Sequence, residues 1–185
     1  MAVLPIYTDG SPVLRKKAQP VEQLSNDIIQ LIMDMFETMR KANGIGLAAN
    51  QVGVLLRIIV VDVSEVEGME NVKPFALINP EVVERKDKWV MEEGCLSIPD
   101  VRDEVERAEK IKVRFKDTNF EDKEIQVDGI LGRVILHELD HLDGILFIDR
   151  LPSAKRKAHA EKLKKIRDGK IEVSYPIVTA VDVLA

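Results

Sequence analysis

The stretch ILHELDHLDG, residues 135–144, decides how the rest of this chain is read. It contains His137, Glu138 and His141 in a His-Glu-x-x-His pattern, and the chain has only three histidines. On a helix, residues four apart share a face, so the two imidazoles can aim at one ion with Glu138 beside it as a base. The flanks suit a helix: Ile130, Leu131, Val134, Ile135, Leu136, Leu139 and Leu142 make it mostly apolar, and Gly144 can end it. A plain alternative is two hydrogen-bonded histidines on a polar stripe. A largely buried helix that carries two imidazoles and a carboxylate needs a reason for them, and a metal is the stronger one.

Bulk properties narrow the classes. The 185 residues suggest one domain, and a hydrophobic fraction of 45% is ample for a core. No apolar run approaches membrane-spanning length. MAVLPIYTDG at the start lacks the pattern of a secretory signal, so a cytoplasmic location is expected. The single cysteine excludes an intramolecular disulfide. A net charge of −5 argues against DNA or RNA binding over the whole surface, and 4% aromatic residues argue against a base-stacking platform.

Working outward, SNDIIQLIMDMFETMRKA (25–42) reads as a helix capped by Ser25 and stopped by Asn43-Gly44. Its Met-rich face reads as core packing. RIIVVDV (57–63), FALINP (75–80), VVERK, KWVMEEG, KIKVRFKD (110–117) and KEIQVDG (123–129) read as strands, with a hairpin turn at Asp117-Thr118-Asn119. ILFIDRL follows the metal-motif helix, and residues 153–168 look like one strongly basic helix. The expected fold is α+β: small antiparallel sheets around a central metal-binding helix, with an N-terminal and a C-terminal helix. The expected organisation is a single catalytic domain over 1–170, followed by a tail over 171–185. In that tail Ile171, Val173, Tyr175 and Ile177 alternate like a strand that folds back on the domain.

Two histidines need a third ligand, and two residues compete. Glu161 lies 20 residues after His141, the spacing of thermolysin-like zinc peptidases. Cys95, in EEGCLSIP, lies between a strand of mixed polarity and a Ser-Ile-Pro turn. Glu161 sits among lysines on a solvated helix, so context favours Cys95. Two imidazoles and a thiolate leave a fourth position for water. Glu138, one residue from a ligand, cannot easily turn to the metal as well; it is placed to move protons instead.

Three separated motifs carry a resemblance. GIGLAANQ (44–51), EGCLS (93–97) and HELDH (137–141) resemble, in order and separation, the three motifs of the peptide deformylase family. The similarity covers roughly residues 5–150. It implies a metal-dependent hydrolase that removes the formyl group from N-formylmethionyl nascent peptides. It also implies that Cys95, His137 and His141 bind the metal, typically Fe2+, with Ni2+, Co2+ or Zn2+ as substitutes. Glu138 would be the acid–base group. The Gln51 amide and the Leu96 backbone N–H would stabilise the developing oxyanion. On its own, GIGLAANQVG reads as an ordinary helix-to-strand turn; by the resemblance, Ile45, Gly46 and Gly94 pair with the substrate backbone. Ile130 and Val134 are expected to line a methionine pocket. Arg133 reads as a rim or structural ion-pair residue, and Glu93 with Arg107 as a pair that steadies the cysteine loop.

Two other readings stay open at this stage, a thermolysin-like peptidase and a non-enzymatic domain built around a structural metal. For residues 153–170, eight Lys or Arg against two Asp or Glu suggest either a solvated surface helix or a docking site for ribosomal RNA.

Overall fold

The computed structural model describes residues 1–185. The chain runs β1 (Ile6–Tyr7), α1 (Asn26–Lys41), β2 (Gly46–Ala48), β3 (Ile58–Val61), β4 (Phe75–Lys86), β5 (Trp89–Cys95), β6 (Ile98–Arg107), β7 (Lys110–Lys116) and β8 (Asp122–Asp128). Then come α2 (Gly129–Leu142), α3 (Ser153–Ala158), α4 (Ala160–Arg167), β9 (Ile177–Val178) and α5 (Ala180–Leu184). The class is α+β, with small antiparallel sheets around α2.

The main sheet has the order β2-β3-β4-β7-β8, and every pairing in it is antiparallel. β3 is buried along its whole length because it is covered on both faces. Ile59 and Val61 join Leu77, Ile111 and Val113 in a core under α2. Ile58 and Val60, pointing the other way, join Ile32, Met35 and Met39 of α1. The period-2 alternation of one strand thus divides the molecule into two apolar layers.

Local chemistry sets the ends of these elements. The Ser25 side chain accepts the Ile28 N–H at 3.3 Å and caps α1. Arg40 and Lys41 lie in its last turn, and Asn43 turns the chain away at φ 56°. β4 runs through Pro80, at a break in its register against β7, where a missing N–H is tolerated. Gly144, at φ 75°, follows the end of α2, and a Cβ there would strike the Arg15 backbone.

β5 and β6 form a separate hairpin, with Cys95 and Ile98 paired across its tip. Its apolar side packs against Leu146, Phe147, Leu163 and Ile166 in a third core. Of Ser97-Ile98-Pro99, expected to be a turn, only Ser97 lies in one, and Ile98-Pro99 opens a ten-residue strand. Only Ile98, Val101, Val105 and Arg107 of that strand are buried, and the acids between them disguise it. ILFIDRL supplies a 3-10 turn over Phe147–Arg150.

The basic C-terminal helix is two helices rather than one. They meet at His159, whose ring bonds Asp103 of β6 at 2.9 Å and whose N–H turns back to Arg156. Beyond α4 the chain folds back over residues 171–176, and β9 pairs in parallel with β1. No helix is long and apolar enough to cross a membrane.

Candidate metal and peptide site

α2 presents two functional stripes. Arg133, His137 and Asp140, at i, i+4 and i+7, face the β5–β6 hairpin. Val134 and Glu138 face β2, where Gly46 permits the approach. A Cβ on Gly46 would lie 2.7 Å from both the Glu138 carboxylate and a Val134 methyl, so only glycine fits.

The ligand atoms offered by Cys95, His137 and His141 all lie within 4.8 Å of one another. Cys95 Sγ is 3.2 Å from His141 Nε2. His137 Nδ1 faces Glu93 at 2.8 Å, which leaves its Nε2 for a ligand bond. Burial disfavours a charged His137, yet hydrogen bonds to Cys95 and Glu93 outweigh that and push its pKa up to about 10. Burial and the neighbouring His137 hold His141 well below the usual value. The two imidazoles are thus driven in opposite directions, and His141 is kept neutral with a lone pair to offer. Thiolate and imidazole suit several transition metals, and three protein donors leave a tetrahedral position open. The residues fit a metal ion. Glu161 is on the exposed side of α4, in an ion pair with Lys165, and takes no part.

Glu138 is buried, and its Oε2 has no partner. Burial raises its pKa to about 7, against the pull of His137 and Arg107. That value suits proton transfer in both directions near neutral pH. Gln51 is tied down: its Oε1 accepts the Ala48 N–H at 2.9 Å, and its Nε2 donates to Ser97 Oγ at 3.1 Å and lies 3.7 Å from Cys95 Sγ. Its amide therefore sits beside the sulfur with little freedom to rotate.

Beneath the ligands lies a buried ionic cluster. Arg107 grips Glu93 through two bonds of 2.6 and 2.9 Å and reaches Asp140 at 2.7 Å. Arg133 bonds Glu93 at 2.5 Å and lies over the Trp89 ring at 4.7 Å, and Arg150 closes on Asp140. Burial would raise the Glu93 pKa, but His137 and Arg107 more than offset it and keep the carboxylate ionised. The expected Glu93–Arg107 pair is present and Arg133 is indeed a structural ion-pair residue. Asp140 and Arg150 went unrecognised, although Asp140 lies one helical turn past His137 and so invited the question.

A cavity of 620 Å³ opens over this site. It is lined by Ile45, Gly46, Gln51, Gly94, Cys95, Leu96, Ile130, Val134, His137 and Glu138, whereas His141 lies beneath it, almost wholly buried. The residues singled out by the resemblance are brought together here, and Glu161 is not among them. β2 is the end strand of its sheet, so one of its edges is not covered by another strand. Gly46, read first as a turn glycine, is therefore part of an edge that can take an added strand. Glu172, Val173, Ser174 and Tyr175 also line the cavity. Sequence reasoning missed them as site residues. The only signal was the alternation that marked this tail as folding back.

Comparisons with known proteins agree with this geometry. A family model described as polypeptide deformylase matches residues 3–157. A peptide deformylase of Chlorobium phaeobacteroides is 47% identical over 175 residues, covering 95% of each chain. One of Salinibacter ruber is 44% identical over 188 residues, covering 97% of this chain and 96% of that one. Among solved structures, a peptide deformylase from Legionella pneumophila superposes with a TM-score of 0.83 at 39% identity, covering 91% of this chain and 98% of that one. The enzyme from Ehrlichia chaffeensis, solved in complex with actinonin, gives 0.82 at 41% identity, covering 89% and 98%.

Proposed function

This chain belongs to the peptide deformylase family, metal-dependent hydrolases that remove the N-formyl group from nascent peptides, and from that premise we propose how its own residues divide the work. Cys95, His137 and His141 hold the metal. The observation that carries this is the convergence of one sulfur and two imidazoles at the floor of the cavity, beside a buried carboxylate with an unpartnered oxygen. When bound, a divalent ion supplies Lewis-acid polarisation of the formyl oxygen and acidifies water.

Glu138 takes a proton from the attacking water and passes it to the nitrogen of the breaking C–N bond. Formate and a free amino terminus leave. The Gln51 amide and the Leu96 N–H donate to the oxygen that gains negative charge. Gly46 and Ile45 on one wall, and Gly94 on the other, offer backbone groups to an extended peptide. This recognition uses groups common to all sequences and so accepts varied nascent chains. Ile130 and Val134 form the apolar pocket for the first side chain, methionine.

The physiological ion in this reading is ferrous iron, with nickel, cobalt or zinc able to replace it. Residues 1–170 act as one catalytic domain and 171–185 as its tail, and the enzyme works in the cytoplasm. The ribosome is a proposed further partner, through the basic segment 153–168.

Protein purified without air should contain iron and hydrolyse formyl-Met-Ala. Exposure to air should lower that activity and nickel should protect it, because a thiolate and ferrous iron at an open site both oxidise. Cys95→Ala should lose metal or almost all activity, and Glu161→Ala should keep both. The reverse pattern would assign the third ligand to Glu161 and overturn the proposed site.

A further inference from the structure

The cavity has a wall that lies outside the family match. That match ends at residue 157, yet Glu172 to Tyr175 border the same space as Cys95, Gln51 and Glu138. This wall is anchored beyond its end. The Ile6 N–H donates to Pro176 O at 2.9 Å and the Thr8 N–H to Val178 O at 3.0 Å, which hold β9 against β1. Thr179 then caps α5 with Asp182 through two 2.8 Å bonds. Between Ile171 and Ile177 alternate residues are half-buried, so the tail lies along the domain with one side down.

One side chain of this wall touches the reaction machinery. The Tyr175 hydroxyl donates to the Leu96 carbonyl at 2.8 Å, and the two side chains pack on the same apolar core. Leu96 and Ser97 form the tip of the β5–β6 hairpin, between the paired residues Cys95 and Ile98. Other bonds hold the far side of that tip: Ser97 O accepts the Asp9 N–H at 2.8 Å, and Ser97 Oγ accepts from Gln51. Asp9 is itself fixed by Arg167 of α4 at 2.8 Å. The tip therefore hangs between the N-terminal loop, Gln51 and the tail, and only Tyr175 holds Leu96 by its carbonyl from the cavity side. Burial raises the Tyr175 pKa to about 12, so the phenol remains a donor throughout the neutral range.

We propose that Tyr175 is a positioning residue for deformylation: it fixes the Leu96 turn so that the Leu96 N–H points at the developing oxyanion. The inference rests on the assignment of that N–H made above. Tyr175 acts through Leu96 and not on the substrate, so its loss should weaken stabilisation of the transition state and spare ground-state binding.

The test is Tyr175→Phe in the full chain loaded with nickel, assayed on formyl-Met-Ala. The expected result is a fall in kcat of about tenfold with KM within about twofold, since a displaced donor costs transition-state energy. Nickel content and melting temperature should stay near wild type. Unchanged kcat in Tyr175→Phe would overturn the proposal. So would a lower melting temperature with wild-type kcat per folded molecule, the mark of a purely structural tyrosine. Wild-type protein inactive on the formyl peptide would sink the underlying reading, and this one with it.

Discussion

Glu138 and Glu93 are both buried carboxylates within one site, and their surroundings drive them in opposite directions. Glu93 is ringed by Arg107, Arg133 and His137, which keep it ionised and hold it against the imidazole of His137. Glu138 lacks such partners; burial dominates, and its affinity for a proton rises to a useful range. Glu138→Gln keeps the shape but cannot accept a proton. It should retain full metal content and lose about 10²–10⁴-fold in kcat on formyl-Met-Ala. A near wild-type rate would show that another group moves the proton. His137, Glu138 and His141 were legible because a scarce residue type stands at a diagnostic spacing, whereas Cys95 prevailed over the better-spaced Glu161 through its local context and the resemblance of EGCLS. The Glu93 cluster was only half visible: its members come from β5, β6, α2 and the turn after it, and no local pattern joins them.

Among the elements, the 3-10 turn after α2 shows how a short segment is held in place. Asp149 accepts the Leu146 N–H at 2.9 Å and pairs with Arg15 at 2.5 Å, tying the turn to the N-terminal segment. Burial would raise the Asp149 pKa, but Arg15 and the Leu146 N–H lower it overall. A carboxylate whose pKa is depressed by folding adds stability above its unfolded value of about 3.9, and that contribution is lost as pH falls through the folded value. Asp149→Asn should therefore cost about 0.5–1 kcal/mol near pH 7, discounted for partial exposure, and the gap to wild type should close in acid. Urea unfolding at several pH values checks this; a gap independent of pH would rule out the charge as its source. α1, β3, β7, β8 and α2 were legible because each has a steady apolar period and ordinary end signals. β6 was not, since charged residues interrupt its buried side. The break at His159 was equally hidden, because it depends on a bond to Asp103 far away in sequence.

On the scale of the whole molecule, the C-terminal cations prove less free than their number implies. Arg167 is committed to the buried carboxylate of Asp9, Lys155 to Asp103, and Lys162 to the Asp100 carbonyl. Lys164 and Lys165 pair only along their own helix and, with Lys157, remain open to water. A fair test of ribosome docking must leave Arg167 intact, since a glutamate there would confront Asp9. Reversing Lys157, Lys164 and Lys165 to glutamate should weaken salt-sensitive co-sedimentation with ribosomes by at least tenfold and spare turnover of formyl-Met-Ala. Equal co-sedimentation at low salt would leave these helices as a cover for the third core. The pairing of Ile6 with Ile177 has a separate consequence, for the order of assembly. The main sheet and the two helices that cover it lie within residues 26–142, whereas the parallel pair of β1 with β9 must wait for residues 177 and 178. The cavity wall at Tyr175 is then a late part to close, set in place only after the helix that carries both histidines has docked on its sheet.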